Sequence, residues 1–148
     1  MSDRDSSAVE NALVDKLRAD ATLKALMPDG VFFGEAGATA VSFVLVTLDD
    51  EHDEGMFGER AYEDHTFLVK AISRKDTNGA VRKAAARIDE LLDPKPPARA
   101  TLTIDGYRLM VMRRIKRVRY ADPDQRDLTI VWQHRGGQYQ VMVYPTAT

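Results

Sequence analysis

Two stretches of the chain concentrate charge densely enough to do chemistry. Asp49, Asp50, Glu51, His52, Asp53 and Glu54 run consecutively at the end of an apolar strand. With His65 expected on the facing strand, their hard oxygens and an imidazole could hold a divalent cation. Pairing about a Gly55-Met56-Phe57-Gly58 loop would set Asp50 opposite His65. Consecutive strand residues point to opposite faces, so these groups cannot all ligate one ion. We therefore expect no metal, and an acidic segment that is solvated or faces another subunit. The second stretch is basic: Arg113, Arg114, Lys116, Arg117 and Arg119 place five cations within seven residues. Phosphate contact without sequence readout is one reading. The acidic pI of 5.9 and the scarcity of aromatics, with only Tyr120 adjoining the run, argue against it. Charge complementarity favours pairing with 49–54, within or between subunits. Alternation would turn some of these cations inward in a lone protomer, which an oligomer relieves.

No other constellation rises to catalysis. The chain lacks a G-x-S-x-G elbow, a P-loop, a dinucleotide fingerprint and an H-E-x-x-H pair. With no Cys, thiol catalysis, Cys-ligated zinc and disulfides are excluded. His134, beside Trp132, reads as a surface strand residue. Met110, Met112 and Met142 read as core or interface filler. No enzyme activity and no cofactor are expected.

The elements that must position these stretches follow from periodicity. Ser7-Ala8-Val9-Glu10 is a capping-box pattern, and Val9, Leu13, Leu17 and Ala21 make an apolar helical stripe. Asp20 re-caps a short segment that Pro28-Asp29-Gly30 stops. Val31-Phe32-Phe33 reads as a short strand. Ser42 to Asp50 is a strand apolar on both faces and therefore covered on both. With a strand from about Ala61 to Arg74 it forms a long hairpin whose tip, at Met56 and Phe57, projects beyond the core. Asp76 or Thr77 caps a helix over 79–92, with Val81, Ala84, Ala85, Ile88, Leu91 and Leu92 on one face. Asp93-Pro94-Lys95-Pro96-Pro97 ends it. Thr101–Ile104 and Tyr107–Met112 flank Asp105-Gly106 as a hairpin. The second strand continues to Tyr120, and its alternation breaks near Arg113–Lys116, predicting a bulge. Leu128, Ile130 and Trp132 alternate along a further strand. Gly136-Gly137 reads as a tight turn before a last strand, Tyr139 to Tyr144.

The expected architecture is α+β: a mostly antiparallel sheet packed on one side by two helices, with one projecting hairpin. The 148 residues fit one domain. The N-terminus carries no apolar leader and no run is long enough to span a bilayer, so a soluble, membrane-free protein in a reducing compartment is expected. Charge divides along the chain. Residues 1–74 carry 7 basic and 15 acidic side chains, and residues 75–148 carry 14 and 8. Halves of opposite sign fold against each other or stack copies acid to base.

The order of elements resembles a known family. Leu13, Leu17, Asp20, Leu23 and Leu26 fit the L-x-x-x-L-x-x-D-x-x-L-x-x-L opening of the small tail-completion proteins of long-tailed bacteriophages. Val31-Phe32 falls where that family has its first short strand. Ser42-Phe43-Val44-Leu45-Val46 resembles its P-Y-V-V-L strand, with Ser42 in place of proline. Phe67–Arg74 and the 79–92 helix resemble its V-x-V-x-x-S-R strand and following helix, and Asp122-Pro123-Asp124 matches its late D-P-D turn. The similarity covers about residues 10–135, leaving 136–148 as a C-terminal strand extension.

The resemblance implies a virion part without enzymatic activity: a tail terminator, or alternatively a head-side connector or stopper of the neck. Such subunits form a ring, usually of six, at the head-proximal end of the tail tube. The partners it implies are further copies of the chain, the tail tube protein and the head–tail connector or adaptor. DNA passes through the lumen without specific binding. The location implied is the tail neck, reached from the host cytoplasm during assembly. Within that picture Asp49, Asp50, Glu51, Asp53 and Glu54 line a subunit interface or the lumen. Arg113, Arg114, Lys116, Arg117 and Arg119 form the basic interface, and Met56 and Phe57 are tip contacts.

Overall fold

A computed structural model describes residues 7–56, 59–74 and 78–146, with side chains described for 7–52, 62–74 and 79–146. Phe57, Asp76 and Thr77, named above as a tip contact and as caps, lie outside the described residues.

The described residues form three helices and five strands, in the order α1 (Ser7–Arg18), α2 (Ala21–Leu26), β1 (Val31–Phe33), β2 (Ser42–Met56), β3 (Glu59–Ser73), α3 (Asn78–Leu92), β4 (Tyr107–Pro123) and β5 (Val131–Pro145). The expected re-capped segment is a helix of its own, so three helices stand where two were expected. Asp20 caps it with an extended backbone and accepts from the Leu23 amide at 2.9 Å. Arg87 of α3 grips the same carboxylate through Nε and Nη2, at 2.9 and 2.6 Å. That bidentate pair ties α2 to α3, and its hydrogen bonds hold the Asp20 carboxyl below the usual carboxylate range.

The sheet is mixed, in the order β1-β2-β3-β5-β4. β1 runs parallel to β2, whereas β2–β3, β3–β5 and β4–β5 are antiparallel. Asp29 starts β2 by accepting from the Val41 and Ser42 amides at 2.8 and 2.9 Å. Parity then sorts the side chains. Val44 and Val46 of β2, Phe67, Val69 and Ala71 of β3, and Tyr139, Val141 and Val143 of β5 are all buried on one face. Val9, Leu13 and Leu17 of α1 and Val81, Ala84, Ile88 and Leu92 of α3 close over them in one cluster. Residues of opposite parity, from Phe43 to Trp132, lie on a face that no helix covers among the described residues.

The second half of the chain departs from expectation. Thr101–Thr103 form no strand; only an isolated bridge joins Ile104 to Tyr107 across Asp105 and Gly106. β4 is one strand of 17 residues. Its register shifts at Leu109/Val111 and again at Arg114/Lys116, the second where the phase break placed a bulge. The Leu128 strand begins only at Val131, leaving Leu128 76% exposed. Gly136 and Gly137 make no turn. They sit mid-strand in β5, paired on one side with Lys70 and Val69 and on the other with Val118 and Arg117. A Cβ on Gly136 would strike the Val69 carbonyl oxygen and come within 2.8 Å of Lys70 Cα. One on Gly137 would meet the Lys116 carbonyl oxygen at 2.7 Å. Glycine is needed here for close approach of backbones. The residues after Gly136 are therefore no appendage, because they form an inner strand between β3 and β4. No described helix is long and apolar enough to cross a membrane.

Candidate functional site

The acidic segment forms the outer half of β2. β1 pairs only with Val44–Val46, so from Thr47 onward that edge has no strand partner among the described residues. Asp49, Asp50, Glu51 and His52 are exposed. A bulge between Leu48 and Asp50 shifts the alternation and sets Asp50 against Thr66 and Glu51 against His65. The expected Asp50–His65 opposition is overturned, since the two residues now point to opposite faces. Asp53 and Glu54 continue the ladder against Glu63 and Tyr62 in the backbone. Their side chains, and that of Met56, lie outside the described residues.

Beneath Glu51, on the helix-covered face, the bulge leaves a buried acid–imidazole pair. Glu63 and His65 are 1% and 0% exposed, and His65 Nε2 lies 3.1 Å from Glu63 Oε1. The His65 ring stacks on Phe67 at 5.9 Å between centroids. Glu51, Glu63 and His65 can each offer one ligand atom within 4.8 Å of the others. That set differs from the one expected around Asp50 and His52; the Glu63–His65 contact uses His65 Nε2, while among the described residues the buried His65 Nδ1 has no hydrogen-bond partner.

The basic run lies on β4, the opposite edge of the sheet, separated from β2 by β3 and β5. Intramolecular strand pairing of 113–119 with 49–54 is therefore ruled out. Parity and the bulge divide the run. Arg114 lies on the helix side, where its Nη1 donates to Asp89 of α3 at 2.6 Å and its amide to Asp93 at 3.0 Å. The Tyr139 hydroxyl donates to the other Asp89 oxygen at 2.9 Å. Burial, reinforced by the Asp89 charge, pushes that phenol far above its ordinary pKa. Arg117 and Arg119 share this side with Arg82 and Arg135, lining a groove of about 400 Å³ between α3 and the β4–β5 ladder. Among the described residues these four guanidiniums have no acidic partner.

On the uncovered face the two charged stretches are joined across the sheet. His52 Nδ1 lies 3.3 Å from Asp50, and its Nε2 lies 3.7 Å from Asp64 of β3. Asp64 accepts from Gln140 Nε2 at 2.8 Å, and Gln140 Oε1 accepts from Arg113 at 3.0 Å. Gln138 donates to Asp49 at 3.0 Å. Farther along the strands Phe43 packs edge-on against Phe32 and Trp132, whose indole donates to Asp124 at 3.0 Å. Phe43 and Trp132 floor an open groove of about 760 Å³. Beside it Tyr120 stacks on His134 at 4.3 Å and accepts from Lys70 at 2.7 Å. His134 is half-buried rather than a surface residue. Burial and the Lys70 charge push its pKa down to about 4, against a small opposing pull from Asp122.

Sequence reasoning missed Glu63, Asp64, Gln138 and Gln140. Glu63 was accessible, because it shares parity with Phe67, Val69 and Ala71 and therefore their buried face. The two glutamines carry no comparable signal, since their roles depend on β5 lying between β3 and β4.

The model of one protein family, tail completion protein gp17, matches residues 11–136. The fold is similar to that of a chain from the virion of a native gene transfer agent particle. TM-score is 0.69 and identity 21%, over 97% of this chain and 99% of that one. A second solved structure matches with a TM-score of 0.55 at 12% identity, over 99% of both chains. No curated protein matches the sequence. The family match runs from within α1 into the first half of β5, and the chain belongs to the tail completion protein gp17 family.

Proposed function

We propose that this protein is a structural, non-enzymatic part of a phage-type virion that closes the head-proximal end of the tail tube. It does so as a ring of six copies that also joins the tail to the head connector. Family membership over residues 11–136 carries the reading. Likeness to a chain of a gene transfer agent virion supports a place in the particle. In this reading that place is the tail neck, reached from the host cytoplasm during assembly. A ring of identical copies needs two different, complementary patches on each subunit. An acidic strand segment on one side of the sheet and a basic one on the other answer that need. The whole chain acts as one domain. Met56 and Phe57, where β2 gives way to β3, contact the tube protein. DNA crosses the lumen without specific binding.

Light scattering of the purified chain, alone and with assembled tubes, tests this. A mass six times 16.6 kDa, and ring density capping tubes in electron micrographs, are expected. A 16.6 kDa species at every concentration, with bare tube ends, overturns the proposal. Capture by portal or adaptor but not by tube protein would move the subunit to the head side of the neck.

A further inference from the structure

Among the described residues, two edges of the sheet have stretches with no strand partner. β4 is an edge strand, exposed along most of residues 113–123. The Arg114 amide is taken by Asp93, so the free stretch begins at Ile115. On the far side, β2 has no strand neighbour beyond Val46 among the described residues. Long, uncovered edges are templates for pairing with another chain. Directions also fit. β2 is antiparallel to β3, β3 to β5, and β5 to β4, so β2 and β4 run in opposite senses.

Charge selects which edges meet. Like edges would set Lys116, Arg117 and Arg119 against the same three cations, or acids against acids, and like charges directly opposite are destabilising. Unlike edges set Arg117 and Arg119 on the helix side, and Lys116 on the other, against carboxylates of both parities, including Asp50 and Glu51. The four partnerless guanidiniums of the α3–β4 groove lie beside that same edge. Exposed Ile115 and Tyr120, at 48% and 40%, supply apolar surface along it.

We infer that the outer edge of β4, from Ile115 to about Asp122, pairs antiparallel through its main chain with the acidic outer half of β2 of a second copy. The sheet thereby continues from subunit to subunit. The occupant of the basic edge is thus a copy of this chain, not nucleic acid. The inference deepens the ring proposed above and rests on it for closure, because edge pairing alone equally makes open strings.

Two charge-reversed variants test it: Arg117→Glu with Arg119→Glu, which makes both edges acidic, and Asp50→Lys with Glu51→Lys and Asp53→Lys, which makes both basic. Each alone should weaken self-association at least roughly tenfold at low salt, while its circular dichroism and unfolding midpoint match the parent's. An equal mixture of the two should reassemble in alternation, because each variant then presents the edge the other lacks. Rescue on mixing also shows that both variants are folded. Assembly of either variant as readily as the parent, or no rescue on mixing, overturns the edge pairing while rings of the parent leave the ring reading intact. Rescue into open strings supports the edge pairing and removes the ring. Duplex DNA bound by the parent and lost in the Arg variant, with oligomer mass unchanged, also overturns the inference.

Discussion

The two faces of the sheet are made from the same strands and reach opposite solutions. Phe67 and Leu68 are neighbours in sequence and lie on opposite sides. Phe67 is fully buried under the helices, whereas Leu68 is only half-buried on the uncovered face. The helix side is an apolar cluster broken by polar arrangements that pair inside it, among them Glu63–His65, Asp89–Tyr139–Arg114 and Asp20–Arg87. The other side is a lattice of polar side chains, Asp49–Gln138 and Asp64–Gln140–Arg113, with an aromatic floor at one end. Burial against helices makes the first face responsible for stability. The second is left with hydrogen-bonding groups and rings in reach of solvent, the composition of a surface that meets other molecules.

The sharpest test of that contrast truncates the adjacent pair. Phe67→Ala should cost about 4 kcal/mol, as expected for a large cavity under helices. Leu68→Ala should cost about 1 kcal/mol in the isolated chain, because solvent already reaches that site. Urea unfolding of both variants decides it, and equal losses would erase the distinction between the faces. A second, smaller effect probes an exception. Gly136 has the parity of the open face, yet a Cβ there meets the β3 backbone rather than solvent. Gly136→Ala should therefore lose roughly 2–3 kcal/mol by overpacking. Gly37→Ala, where the added carbon would touch only the Phe32 ring at 3.7 Å, should be near neutral. Comparing their thermal midpoints separates close strand approach from a turn requirement.

The smallest effect is on pH. His134 titrates at about 4 in the fold because burial and Lys70 disfavour its cation, against an ordinary value of 6.5. Between those values the unfolded chain binds the proton and the native one does not. Its contribution is complete above about pH 6.5 and is lost as pH falls toward 4. His134→Phe, which keeps a ring on Tyr120, should flatten that part of the stability curve by on the order of 2 kcal/mol. Unfolding midpoints at pH 7 and pH 4.5, for variant and parent, measure it. An unchanged slope would mean that the open face leaves His134 better solvated than its position beside Tyr120 implies.

Much of the frame was legible from periodicity. Val9, Leu13 and Leu17 of α1, the apolar face of α3 and the three-residue β1 were read where the structure has them, because helix and strand periods are local properties, whereas Ala21 of the expected stripe opens α2 and is exposed. The break at Arg113–Lys116 was legible for the same reason, but the shift at Leu109/Val111 was not: it sets Leu109 against Val143 and Val111 against Met142, so the two do not share the face that alternation gave them. The site was less accessible. Asp50 was placed opposite His65 by counting from the connection, and one bulge at Leu48/Asp50 put Glu51 there instead. Gly136-Gly137 was read as a turn because glycine serves both turns and close approach, and only the neighbouring backbones tell which. Leu128 was read into a strand by alternation, but strands need a partner as well as a pattern, and its segment has none.

What the sequence determined by itself was parity, helix faces, the absence of thiol chemistry and the opposite signs of two runs, since each depends on residues close together in the chain. Order across the sheet was decided only by the tertiary structure. Inserting β5 between β3 and β4 carried the basic run to one rim, left the acidic half of β2 near the other, and separated them by two strands. Which strand neighbours which depends on contacts between distant segments, where one well-packed arrangement outcompetes many of similar local preference.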